Sequence, residues 1–231
     1  MKSGFKNRLR NSRWLRHLFK FATLLTSRFS IQKSRNNRVE NNSGLAFRCH
    51  FRIHGSNNKI IIDDFARVIR CKFYINGNNN VVHIGKNVYM EDGAVLTDFD
   101  CNQITIGNNA IISRGFEGAA MEGTEIAIGE ECLFSSHISI RTCDSHSIIN
   151  EQGERINQSQ SVRIGKHVWV GVNALFLKGA LVSDDSVVAA RSVITKPFDT
   201  GNVVIAGQPA KIVKRNVNWD KQLNPLKGEK A

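Results

Sequence analysis

The chain has 231 residues, 41% of them apolar, with 32 Lys and Arg against 20 Asp and Glu, a net charge of +12 and a pI near 9.8. That length suits one domain with an arm, and that apolar fraction is enough for a core, so wholesale disorder is excluded. No uncharged apolar run approaches the roughly 18 residues of a spanning helix, and Lys20 interrupts the N-terminal apolar stretch with no small-residue cleavage site after it, which argues against a secretory signal.

The first element is an arm. Residues 1–38 hold eleven basic side chains and no acid, leaving 21 basic and 20 acidic residues in 39–231. The charge therefore belongs to the arm, and a nucleic-acid-binding reading of the whole chain loses its ground. Trp14, Leu15, Leu18, Phe19, Ala22 and Leu25 recur at helical spacing among Arg10, Arg13, Arg16 and Lys20. Such a helix either lies on an anionic membrane surface, through residues 1–35, or packs on its own domain or a neighbouring subunit. The five cysteines, Cys49, Cys71, Cys101, Cys132 and Cys143, are odd in number and carry no C-x-x-C spacing. Reduced thiols in a cytoplasmic protein, peripheral at the inner membrane, are expected, and no metal site.

From residue 40 the chain repeats. Cys-His-Phe-Arg-Ile-His-Gly-Ser-Asn-Asn over 49–58 returns 22 residues later as Cys-Lys-Phe-Tyr-Ile-Asn-Gly-Asn-Asn-Asn, and the offset runs on through Ile62, Ile84, Ile106 and Ile128. A shorter period of six lies inside it, as in Ile164, Val170, Phe176, Val182, Val188 and Ile194. A small residue often follows four places on, as at Ala174, Ala180, Ser186 and Ser192. Neither a helix nor a flat alternating strand has a period of six. Three such sides make a triangular coil of 18 residues, and the 22-residue coils carry four more at one corner. Seven coils are predicted over 40–61, 62–83, 84–105, 106–127, 128–163, 164–181 and 182–199. Asn-rich corners such as 78–80 suit left-handed turns and side-chain ladders.

The fifth coil breaks the pattern. After Ile140 the chain reads Arg-Thr-Cys-Asp-Ser-His over 141–146 and then a polar loop near 147–161, too long for a corner and so expected to project. The last coils close on Ala-Ala-Arg-Ser-Val-Ile-Thr-Lys over 189–196 and Gly-Gln-Pro-Ala over 207–210. The segment 216–231 is polar and expected to fray, which leaves a repeat domain over 39–215.

The six-residue period, the stretch 135–148 and the motif Ile-Gly-Lys-His-Val-Trp-Val-Gly over 164–171 resemble the hexapeptide-repeat, left-handed parallel β-helix acetyltransferases. The nearest subgroup is the bacterial sugar and polysaccharide O-acetyltransferases. The resemblance covers about residues 40–215. It implies an all-β prism, a homotrimer with each site between two prisms, acetyl-CoA as donor and a glycan or sugar acceptor. It assigns His146 as general base and Trp169 to the active-site lining. It also lays Gly171, Ala190 and Arg191 along the coenzyme, with Thr195 and Lys196 near its nucleotide end.

The chemistry suits those residue types. A histidine, with an ordinary pKa of about 6.5, removes a hydroxyl proton near neutrality during attack on a thioester. Asp144 either orients that imidazole or forms a local turn. Trp169 serves the site, a subunit contact, or both. Arg114, Glu117, Glu122 and Arg141 are candidates for acceptor contact, with no single alignment among them. Amino-sugar N-acetylation on the same scaffold stays open. A three-histidine metal site lacks its spacing, and a non-catalytic binding solenoid is the remaining alternative.

Overall fold

The computed structural model describes residues 13–32 and 35–225. They form a left-handed parallel β-helix whose strands stack into three sheets. The first sheet has eight strands, from Arg28–Ile31 to Val193–Ile194, and the second has eight, from Arg38–Asn41 to Pro197–Phe198. The third has nine, from Leu45–Phe47 to Val203–Gly207, with Ala210–Arg215 folded back antiparallel at its edge.

Counting one strand per sheet gives eight turns, one more than the seven predicted coils. The strands beyond the predicted coils are Val203–Gly207 at the far end and, at the start, the first two strands of the first turn, Arg28–Ile31 and Arg38–Asn41. That first turn begins at Arg28, inside the basic arm, and pairs Phe29 with Phe51 and Val39 with Ile60. Its few inward side chains are spaced too irregularly, among basic residues, to display the six-residue period.

The repeat follows from how the interior is filled. Register places Phe29, Phe51, Phe73, Val95, Gly118, Ile140, Phe176 and Ile194 in one inward column. The first three rings stack at 4.9 Å between centroids, inside the preferred range for aromatic pairs. Gly118 interrupts the column because the Phe116 ring occupies its place. A Cβ there would stand 3.0 Å from Phe116 Cζ.

The additional residues of the long turns all fall at the corner between the first and second sheets. Asn37, Asn58, Asn80 and Asn102 form a buried ladder there. Each Oδ1 accepts the backbone N–H one rung on, at 2.9, 2.9, 2.8 and 3.1 Å, the last from Thr124. Asn57 and Asn79 beside them are left-handed, with φ of 58°. The ladder thus satisfies backbone groups that a tight turn would leave buried and unpaired.

Both ends of the stack are covered. Helix α1 (Arg13–Thr26) lies against strand Leu45–Phe47. Thr23 Oγ1 accepts from Ala46 N at 3.0 Å, and Ser27 Oγ accepts from Cys49 N at 3.1 Å, which caps edge donors of the first turn. At the far end the chain turns at Gln208-Pro209, a cis peptide, into the antiparallel strand. The tail corrects the expectation of fraying, at least through Trp219. That ring stacks on His167 at 4.3 Å and donates from Nε1 to His167 O at 2.7 Å. Residues 226–231 lie outside the described residues.

Candidate active site

The long loop leaves the prism at the same corner as the asparagine ladder. The ladder ends at Thr124, whose Oγ1 is 2.6 Å from that of Thr142, the residue where the loop departs. The loop folds as a narrow hairpin. Ile156 N donates to Ile148 O at 2.8 Å, Asn150 N donates to Glu154 O at 2.9 Å, and Gly153 turns the tip with φ of 79°. Ile148, Ile149 and Ile156 are exposed on it.

His146 stands at the base of this hairpin, exposed to solvent. Among the described residues its imidazole has no hydrogen-bond partner. Its backbone is held instead. Asn157 Nδ2 donates to His146 O at 2.8 Å, and Asn157 Oδ1 accepts from Ile148 N at 2.8 Å. Asp144 does not reach the imidazole. Its carboxylate accepts from Asn157 Nδ2 at 2.8 Å and pairs with Lys178. The ammonium of Lys178 holds the Asp144 carboxyl below the usual carboxylate range, with the Asn157 bond adding to it. Asp144 therefore acts on the loop backbone and not on the ring.

Glu122 joins the loop from the neighbouring rung. Arg155 forks onto its two oxygens, Nη2 to Oε2 at 2.8 Å, and Ser159 donates to it as well. The guanidinium, and then the hydroxyl, bring the Glu122 carboxyl down to about 2. Arg155 also donates to Asn157 O at 3.1 Å. The carboxylate is thus spent inside the loop clamp. Of the other acceptor candidates, Glu117 and Arg141 pair with each other on the outer face of the first sheet. Arg114 lies at the corner between the third and first sheets, 3.7 Å from Glu91 and 3.9 Å from Asp92. The four candidates do not converge on one point.

The coenzyme candidates divide between two corners. Gly171, Ala190 and Arg191 lie where the third sheet turns into the first. A Cβ on Gly171 would stand 2.5 Å from Ala190 N, so successive rungs approach there as only glycine permits. Arg191 N donates to Val172 O at 2.8 Å. Thr195 and Lys196 lie at the loop corner, one rung beyond Leu177 and Lys178 by the register of their strands. Trp169 is on the outer face of the third sheet, 41% exposed and 6.1 Å from the Trp219 ring. The third sheet is the side of the prism opposite the loop corner. One chain therefore does not bring Trp169 to His146.

Asn157, Arg155 and Lys178 are functional candidates that the sequence reading passed over. A polar loop gives no sign of which asparagine is buried, and Lys178 reaches Asp144 only through the stacking of rungs. Trp219 had a visible signal, a lone large aromatic in a polar tail.

No family model matches the chain. It is 32% identical over 119 residues to the polysialic acid O-acetyltransferase of Escherichia coli O1:K1 / APEC, 51% of this chain and 38% of that protein. The chain thus spans well under half the length of that relative. It is also 32% identical over 140 residues to the Escherichia coli K12 protein provisionally named lipopolysaccharide biosynthesis O-acetyl transferase WbbJ, covering 57% of this chain and 70% of WbbJ. The solved structure of the polySia-specific acetyltransferase NeuO superposes with a TM-score of 0.76 at 28% identity, covering 85% of this chain and 88% of NeuO. With coil, interrupting loop and relatives in agreement, the chain belongs to the hexapeptide-repeat acetyltransferases, in their bacterial sugar and polysaccharide O-acetyltransferase subgroup.

Proposed function

We propose that this chain transfers the acetyl group of acetyl-CoA to a hydroxyl of a bacterial surface-glycan sugar, with His146 as general base, and works as a homotrimer. The observation that carries the reading is an exposed imidazole, unpartnered among the described residues, whose backbone a buried asparagine holds at His146 O and at Ile148 N. A base must be free at its ring and rigid at its anchor. The relatives' names add support, since they speak of polysialic acid and of lipopolysaccharide biosynthesis.

In the proposed reaction an imidazole nitrogen takes the proton of the acceptor hydroxyl as its oxygen attacks the thioester carbonyl. The carbon–sulfur bond breaks, and the leaving thiolate collects the proton from the imidazolium. No enzyme nucleophile is needed. Lys196 at the loop corner offers charge to the coenzyme phosphates, while Arg191 and Lys211 offer theirs from the other side of the prism, to a coenzyme held against a neighbouring chain. The close rungs at Gly171 and Ala190 leave a corner without bulk for the pantetheine to follow. The proposal includes a cytoplasmic location, which the five free cysteines suit, since reduced thiols belong to a reducing compartment.

The test is thiol release from acetyl-CoA with a panel of capsule, O-antigen and exopolysaccharide oligosaccharides, each beside its amino-sugar counterpart. His146→Ala is expected to lose about 10²–10⁴-fold in rate with an unchanged melting temperature. A variant as active as the parent removes His146 from the reaction. Transfer to the amino acceptors alone turns the reading into N-acetylation.

A further inference from the structure

The apolar arc of helix α1 is wider than the prism end that it covers. At 3.6 residues per turn, Phe19, Ala22, Thr23 and Thr26 share one side. That side meets the first turn: Thr23 is buried and bonded to Ala46 N, and Thr26 Oγ1 accepts from Arg48 N at 3.3 Å. Trp14, Leu18, Phe21 and Leu25 recur at intervals of four, three and four residues, a straight stripe beside the docked face. They are 70%, 43%, 60% and 68% exposed. Leu24, also exposed, carries the apolar surface round to a groove of about 490 Å³ beside the first turn, where Phe29, Ile31 and Val39 line the wall. A contiguous apolar patch at one end of a small protein marks a contact surface.

Charge says what the contact is. Residues 1–38 contain eleven basic residues and no acid. His17 and Lys20 are exposed on the helix to one side of the stripe, and Arg28, Arg48, Arg52 and Lys72 are exposed on the adjoining turns. The acids of those turns are engaged elsewhere, Glu40 with Lys59, Asp63 with His83 and Asp64 with Ser43. Two copies of this end brought face to face would set the exposed Lys20, Arg28, Arg48, Arg52 and Lys72 of one against those of the other. An anionic lipid surface offers the opposite charge and an apolar layer beneath it. Among the described residues no helix is long and apolar enough to cross a membrane, so the contact is one of lying on the surface.

We propose that the Trp14, Leu18, Phe21 and Leu25 stripe seats the protein on an anionic bilayer, with the basic residues around it at the lipid phosphates. The apolar side chains enter the boundary between headgroups and acyl chains, and Trp14 takes the interfacial place that suits an amphipathic ring. The prism then stands on its first turn. His146 leaves the sixth turn, about 24 Å from the first at roughly 4.8 Å per rung.

The experiment is sedimentation of the full chain with vesicles of phosphatidylcholine and phosphatidylglycerol in a three-to-one ratio, and with phosphatidylcholine alone. Binding to the anionic vesicles is expected, at least about tenfold weaker on the neutral ones and weaker as salt is raised. The triple variant Leu18→Gln, Phe21→Gln, Leu25→Gln is expected to bind at least about tenfold more weakly, with the parental melting temperature and the parental mass in sedimentation velocity. Tryptophan emission of the parent should shift to the blue on adding anionic vesicles, and Trp14→Phe should abolish most of that shift. A parent that stays in the supernatant overturns the proposal, as does a triple variant that binds equally. A triple variant of reduced assembly mass overturns it too, by giving the stripe to a second copy. None of these readouts depends on the acetyl transfer.

Discussion

Asn157 joins the loop to the chemistry through a single side chain. Buried to 6% exposure, it donates from Nδ2 to Asp144 and to His146 O, and its Oδ1 accepts from Ile148 N and from Arg155 at 3.2 Å. Asn157→Ala leaves His146 O and Ile148 N without that bond in a partly buried place, while Asp144 keeps Lys178 and Arg155 keeps Glu122; the loss costs about 1–3 kcal/mol of stability. It also frees the backbone beneath His146. The expected result is a transfer rate about tenfold to a hundredfold lower, with the donor KM close to the parent's. Asn157→Asp keeps the acceptor oxygen but loses both Nδ2 bonds and sets a carboxylate against Asp144, so it should not rescue the rate. Steady-state kinetics beside a thermal melt separate this from a merely structural role, for which stability would change and the rate would not. The sequence shows the interruption of a strict repeat after Ile140, and the resemblance to the family singles out His146 beside it as the candidate base. Asn157 was not legible there, because burial of one polar residue in a loop depends on what the loop closes over.

The loop as an element is fastened by charge to the rung before it and the rung after it, through Glu122 and Lys178. Glu122 has its carboxyl lowered to about 2 from an ordinary 4.5, by Arg155 first and by Ser159 second. Because the folded state resists protonation there, the clamp contributes its full stability above about pH 4.5. That contribution shrinks as the pH falls and is gone below about 2. Urea midpoints of the parent and of Glu122→Gln, measured across this range, should differ by a constant amount above the window and converge within it. A difference that stays flat through the window would show that the pair does not hold the loop. The other elements divide in a similar way. Seven turns could be read because each inward column repeats a residue type at fixed spacing, which is local information. The first turn could not, since its strands Arg28–Ile31 and Arg38–Asn41 are recognised only by pairing with His50–Ile53 and Lys59–Ile62. The same holds for the charged clamp, whose members are 33 and 34 residues apart.

At the scale of the molecule, the prism separates what the proposed reaction needs together. His146, Thr195 and Lys196 stand at the corner between the first and second sheets, Gly171, Ala190 and Arg191 at the corner between the third and the first, and Trp169 on the side opposite the loop. A site that uses both His146 and Trp169 is therefore built from two chains, the loop corner of one against the third sheet of the next. Ile148, Ile149 and Ile156 of the hairpin are exposed and would give such a contact an apolar surface. In a cyclic trimer every subunit offers both halves, so three equivalent sites form. The consequence can be tested by complementation. His146→Ala and Trp169→Ala, each weak alone, are unfolded together in equal amounts and refolded as mixed trimers. A shared site keeps both residues whenever a Trp169→Ala subunit gives its histidine to a His146→Ala neighbour. With random assembly this occurs at about one site in four, so roughly a quarter of the parental rate should return. If both residues served a site within one chain, no mixture could contain an intact one, and the rate would stay at the level of the separate variants. Sedimentation at three times the 25.8 kDa chain mass is the companion measurement, since a monomer with parental activity would break the argument at its first step.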